Sequence, residues 1–152
     1  MNCLDQFVEQ VSSWAGISVH PHRFGGREFQ FGDAEIGHVH SNGIVDIPFP
    51  RTIRDALIEE HLTEEHHWVP NSGWTTFRMR RELDVEHALW LMRLSYLRCQ
   101  LRTVVNGDNI LEAQAEQLHL SPRFKSLLKP FVRRSADQPS VQQFSSAAQR
   151  ES

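Results

Sequence analysis

Two histidines, His38 and His40, stand two residues apart in the run EIGHVHSNG. In an extended chain that spacing sends both side chains from one face, with about 7 Å between their backbones. Such a pair can share a metal ion, and His20, His22, His66 and His67 are the further imidazoles on which a zinc site would draw. A second set combines the carboxylates Glu28, Glu35 and Asp46 with Trp74, Arg78 and Arg80. A carboxylate poised as a base, arginine forks and an aromatic wall make a shallow anion-binding site. The same residues also make a solvated sheet face whose cross-strand ion pairs are worth roughly 0.2–1 kcal/mol each. Ser72, in NSGW, is a nucleophile candidate that lacks the G-x-S-x-G elbow, and Asn71-Ser72-Gly73 reads more simply as a turn. Cys99 falls on an apolar helical stripe, where burial keeps a thiol inert.

The elements that position these groups are legible around residues 27–50. Gly32-Asp33 and Asn42-Gly43 divide that run into three strands, and two-residue loops at both turns set a register by counting. Ser41 then faces Ile44, His40 faces Val45 and His38 faces Ile47. Strict alternation puts Phe29, Phe31, Ala34, Ile36, Val45, Ile47 and Phe49 on an apolar face, and Glu28, Gln30, Glu35, Val39 and Asp46 on a polar one. His38 and His40 fall with Ile36, so they are expected to face inward, hydrogen-bonded and without metal.

Elsewhere, Leu4, Phe7, Val8, Val11 and Trp14 give a helix over 3–14, and Ile17 to His20 a strand ended by Pro21. A short helix follows Pro50, His66 to Val69 reads as a strand, and Trp74 to Arg80 as another, with Trp74, Thr76, Arg78 and Arg80 on its polar side. A long helix capped by Asp84 runs to about Val105 with two apolar stripes, one of them Trp90, Leu94, Leu97 and Leu101. That second stripe needs a cover, either an extension over 109–131 or another subunit. The resulting fold class is α+β: an antiparallel sheet of about five or six strands, helices on one face and a C-terminal helical extension, in a single domain over 1–131. Residues 132–152, rich in Ser, Gln and Ala, read as a disordered tail.

The formal charge of −3 argues against a nucleic-acid partner, and no apolar run is long enough for a membrane span. Two cysteines make no disulfide framework, so a cytoplasmic location is expected. Gly25-Gly26 leads into a strand rather than opening a helix, so no nucleotide-type cofactor is expected.

The words EIGHVHSNGIVDIPFP, IRDAL, HHWVPNSGW and DVEHALWLMRLSY resemble a small bacterial and fungal domain known as the luciferase domain, over about residues 20–98. The resemblance implies a light-emitting or oxidoreductase activity and carries no catalytic residue with it. The residues themselves favour a module binding a small ligand or a protein partner, as a monomer or a homodimer. A small enzyme at the polar face or at a histidine cluster is the alternative.

Overall fold

The structure, a computed structural model, describes residues 1–66, 68–69 and 71–134. His67 and the tail from 135 onward lie outside the described residues. Six strands form one open antiparallel sheet in the order β1-β2-β3-β4-β6-β5. They are β1 (Ile17–His22), β2 (Gly26–Phe31), β3 (Ala34–Val39), β4 (Ile44–Pro48), β5 (Glu64–Glu65) and β6 (Trp74–Arg78). The helices are α1 (Cys3–Ser12), α2 (Arg51–Glu59), α3 (Glu82–Leu101), α4 (Gly107–Gln117) and α5 (Pro122–Leu128). The fold is α+β, as expected.

β1 runs through Pro21 instead of stopping there. It is an edge strand, where a missing ladder donor is tolerated. The strand expected over His66–Val69 is displaced to Glu64–Glu65. After it His66 Nδ1 accepts the Trp68 backbone N–H at 3.2 Å, a local bond that turns the chain out of the sheet.

The main correction concerns the face of β3. The Gly32-Asp33 turn is a two-residue loop, with Phe31 opposite Ala34. The second turn has three residues: His40 N–H donates to Ile44 O at 2.8 Å and Gly43 N–H to His40 O at 3.0 Å. Gly43 takes the left-handed position there, with φ +87°. The register is therefore one residue off the expected one, with Val39 opposite Val45 and His38 opposite Asp46. A second irregularity offsets the first. Gln30 pairs with Glu35 and Phe29 with Gly37, so Ile36 has no partner in the ladder and forms a bulge. The bulge reverses the alternation within β3. Ile36 and Val39 are both fully buried, while His38 and His40 turn to the polar face.

The dry face carries Phe29, Ile36, Val39, Val45 and Ile47 and is covered by α3 and α1. At the bulge, α3 comes close enough that a Cβ on Gly37 would stand 2.7 Å from Met92 Cε. Ser95, fully buried on the same helix, donates its hydroxyl to the Ile36 carbonyl at 2.8 Å and so satisfies a group that the bulge removes from the ladder. Asp84 accepts the Arg80 and Arg81 backbone N–H groups at 2.7 and 2.9 Å, capping α3 from its first turn. The second stripe of α3 is buried under the C-terminal segment: Trp90 packs edge-on against Phe124 and donates to Leu118 O at 3.1 Å, and Leu94, Leu97 and Leu101 are fully buried.

Two substitutions probe the bulge. Gly37→Ala places a Cβ against Met92 at a φ of +154°, and overpacking of this kind costs about 1–3 kcal/mol. Ser95→Ala leaves the Ile36 carbonyl unpaired, at about 1–3 kcal/mol. Urea titration is expected to show both losses. A midpoint unchanged in both variants would mean that the bulge is not held by α3.

Candidate functional site

With α1 and α3 on one face, the other face of the central strands is left to polar groups. β4 contributes Asp46, which is 1% exposed although it lies on the polar side. Its Oδ1 accepts the Thr76 hydroxyl of β6 at 2.7 Å. Its Oδ2 is where three imidazoles converge: His40 Nε2 at 2.7 Å, His38 Nε2 at 3.2 Å and His66 Nε2 at 3.5 Å. Because His66 Nδ1 accepts from the Trp68 backbone, its Nε2 is the nitrogen that carries the proton toward Asp46.

A second carboxylate and a fourth imidazole complete the cluster. Glu35 precedes the bulge and His38 follows it, so the reversal brings them to the same side, and His38 Nδ1 donates to Glu35 Oε1 at 2.7 Å. His22, at the end of β1, stacks on His38 with ring centroids 4.0 Å apart and meets His40 edge-on at 5.4 Å. Trp74 of β6 closes one side, 5.3 Å from the His38 ring and 6.2 Å from His66. Trp68, 76% exposed, stands beyond His66 at the rim.

The electrostatics follow from these contacts. Burial works against a charge on His38, but the hydrogen bonds to Asp46 and Glu35 outweigh it and raise its pKa from 6.5 to about 9. Burial also works against ionised Asp46, yet donation from His38, Thr76 and His40 holds its carboxyl well below the usual carboxylate range. His22 is shifted the other way, lowered by burial and then by the facing His38 and His40. An imidazolium and a neutral imidazole thus lie stacked against each other.

Of the residues singled out in the sequence, Glu35, Asp46, Trp74, His38 and His40 come together here. His38 and His40 do so by leaving the inward face expected of them. Arg78 and Arg80 do not join them. They line a separate polar hollow with His61, Arg81 and Asp84. Arg78 faces Glu64 there at 3.9 Å, and Arg80 is exposed. Ser72 donates to Val69 O at 2.7 Å and accepts the Trp74 N–H at 3.2 Å, the bonds of a turn residue. Cys99 is buried, and burial pushes its thiol up. A more apolar cleft of about 490 Å³ lies on the far side, between α3 and the extension, where His87 is committed to the Leu62 carbonyl at 2.6 Å.

An open antiparallel sheet, with helices on one face and an imidazole–carboxylate cluster on the other, defines a small α+β domain with a sheet-face site. Residues 33–95 match the luciferase domain, and that segment of the chain is similar to the family. The match includes Glu35, His38, His40, Asp46, His66 and Trp74 but not His22. No curated protein and no solved structure matches the chain. Among the described residues, no helix is long and apolar enough to cross a membrane.

The cluster makes stability depend on pH with a definite sign. His38 has a folded pKa raised from 6.5 to about 9, so its contribution is complete below pH 6.5 and is lost as pH rises through about 9. The difference corresponds to about 3 kcal/mol at most. Asp46 is depressed from 3.8, so its contribution is present above pH 3.8 and is lost as pH falls below that value. The melting temperature is expected to fall between pH 7 and about pH 9.5 in the parent, and His38→Gln is expected to flatten that slope. Side-chain ¹⁵N spectra that place the His38 titration near its ordinary value would contradict this account.

Proposed function

We propose that the polar sheet face is a small-ligand site, and that the chain acts as a ligand-binding module built on a luciferase domain. The observation that carries this reading is the burial of Asp46 among three imidazoles beside a tryptophan face. A sheet face that only met water would be served by exposed ion pairs, without the desolvation that this carboxylate undergoes. Glu28, Glu35 and Asp46 bring three carboxylates to this face, so the site disfavours simple anions. It suits a planar neutral molecule with hydroxyl groups, which can stack on Trp74 and hydrogen-bond to imidazole and carboxylate alike.

A second reading, catalysis, is favoured by the stacked pair alone. His22 with a lowered pKa and His38 with a raised one set a proton acceptor beside a proton donor, the arrangement that general acid–base chemistry uses. The oxidoreductase activity suggested by the family description would use such a base to ionise a bound hydroxyl group.

Catechol, resorcinol and hydroquinone are suitable probes. Titration followed by amide and side-chain ¹⁵N shifts is expected to move His22, His38, His40 and Trp74 together. His40→Gln is expected to weaken the best probe at least tenfold, about 1.4 kcal/mol. Shifts confined to Trp90 and Phe124 would place binding in the far cleft and overturn the proposal.

A further inference from the structure

The same cluster has the composition of a metal centre, and we propose that His22, His38 and His40, with Asp46 as the fourth donor, bind one first-row transition-metal dication of the zinc class. This rests on the reading of the polar face as the site, and it names an ion where that reading names an organic molecule. One ligand nitrogen from each of the three histidines lies within 4.8 Å of the other two. A tetrahedral zinc site with N–Zn bonds of 2.0–2.1 Å needs its nitrogens about 3.4 Å apart, so the rings must close by at most about 1.4 Å. His22 and His40 are part-exposed side chains at the ends of their strands and have room to rotate.

Three further features fit an ion better than an organic ligand alone. One outer carboxylate, Glu35, is placed as a metal-bound histidine requires. His38 Nδ1 donates to Glu35 at 2.7 Å, which leaves its Nε2 for the metal, and Glu28 Oε1 stands 3.8 Å from His22 Nδ1, beyond hydrogen-bond distance but on the outer side of that ring. Glu28 is itself held by Gln30 Nε2 at 2.6 Å. Asp46 Oδ2 sits 2.7 and 3.2 Å from the His40 and His38 Nε2 atoms, so a carboxylate oxygen borders the three-histidine group on the side of those two rings. Glu28, Glu35 and Asp46 place three carboxylates around the rings, whose negative charge a dication offsets. Imidazole donors exclude the hard ions calcium and magnesium, which bind through oxygen.

The test uses the full chain stripped with EDTA and titrated with Zn²⁺ by calorimetry and with Co²⁺ by visible absorption. One ion per chain is expected, with the visible bands of a low-coordinate nitrogen site, and Zn²⁺ is expected to shift the side-chain ¹⁵N signals of His22, His38 and His40 in the parent. His22→Ala removes a ring that makes no hydrogen bond to Asp46, and it is expected to weaken Zn²⁺ at least tenfold. Glu35→Gln, which changes only the partner of His38 Nδ1, is expected to weaken it about 10- to 100-fold. His20→Ala is the control: His20 lies on the same strand, hydrogen-bonded to Ser18 at 2.9 Å, and its loss is expected to change nothing. Absence of saturable Zn²⁺ binding, binding that survives His22→Ala, or an equal loss in His20→Ala overturns the proposal. Aromatic probes that bind the EDTA-stripped chain while Zn²⁺ does not would remove the metal and leave the organic-ligand reading standing. Zn²⁺ binding without any aromatic binding would do the reverse.

Discussion

The one-residue bulge at Ile36–Gly37 is the constraint on which the arrangement rests. A strand with unbroken alternation must put Ile36, His38 and His40 on one face, and either the apolar core or the histidine cluster would then be lost. The bulge allows both. Ile36 and Gly37 point into the core in succession, after which Val39 continues the core while His38 and His40 emerge beside Asp46. Such a kink leaves backbone groups to be satisfied and space to be filled. α3 supplies both, through the Ser95 hydroxyl on the Ile36 carbonyl and the Met92 side chain against Gly37. The helix that packs the core is therefore also what holds the histidines outward.

Asp46 shows how the two faces are linked energetically. A carboxylate with 1% exposure is strongly disfavoured unless its oxygens are fully engaged, and here Thr76 occupies one oxygen while imidazoles surround the other. Its neighbours along β4 are Val45 and Ile47, both in the core, so the strand that carries the carboxylate is fixed from behind. α3 in turn is fixed on its other side by the extension through Trp90 and Phe124. The successive layers leave the cluster little freedom at its centre.

Much of the fold was legible because it depends on local signals. The helical spacing of Phe7 and Val11, the turn at Gly32-Asp33 and the two stripes of α3 all report their elements directly. The members of the site were legible by type: Glu35, Asp46, Trp74, His38 and His40 were singled out. Their grouping was not, because two errors of one residue cancelled. A two-residue loop at Asn42-Gly43 shifts the register and the bulge shifts the parity back, so the apolar sets of β2 and β4 come out right while Val39, expected on the polar face, is buried and His38 and His40, expected inward, lie on the polar one. Gly37 was the available signal, since an isolated glycine within a strand pattern marks a bulge or a close backbone approach. Arg78 shares a face with Trp74, yet four residues along a strand separate them by about 13 Å, which places them in different hollows. His22 and His66 enter through an edge strand and a loop, and only the tertiary structure brings them to Asp46.

The cluster also divides into a fixed part and an adjustable one. His38 is bound at both nitrogens to carboxylates from two strands, and Asp46 is held from three directions, so their positions follow from the sheet itself. His22 lies at the end of the edge strand β1, and Trp68 stands exposed on the segment that turns away after β5, so neither is constrained by strands on both sides. The hydrogen-bonded His38–Asp46–Glu35 core is thus the part fixed by the sheet, and His22 and Trp68 stand at its margin. The luciferase domain match begins at residue 33 and so includes that core but not β1. The N-terminal segment accordingly contributes His22 to this face, joined to the cluster through its ring contacts with His38 and His40.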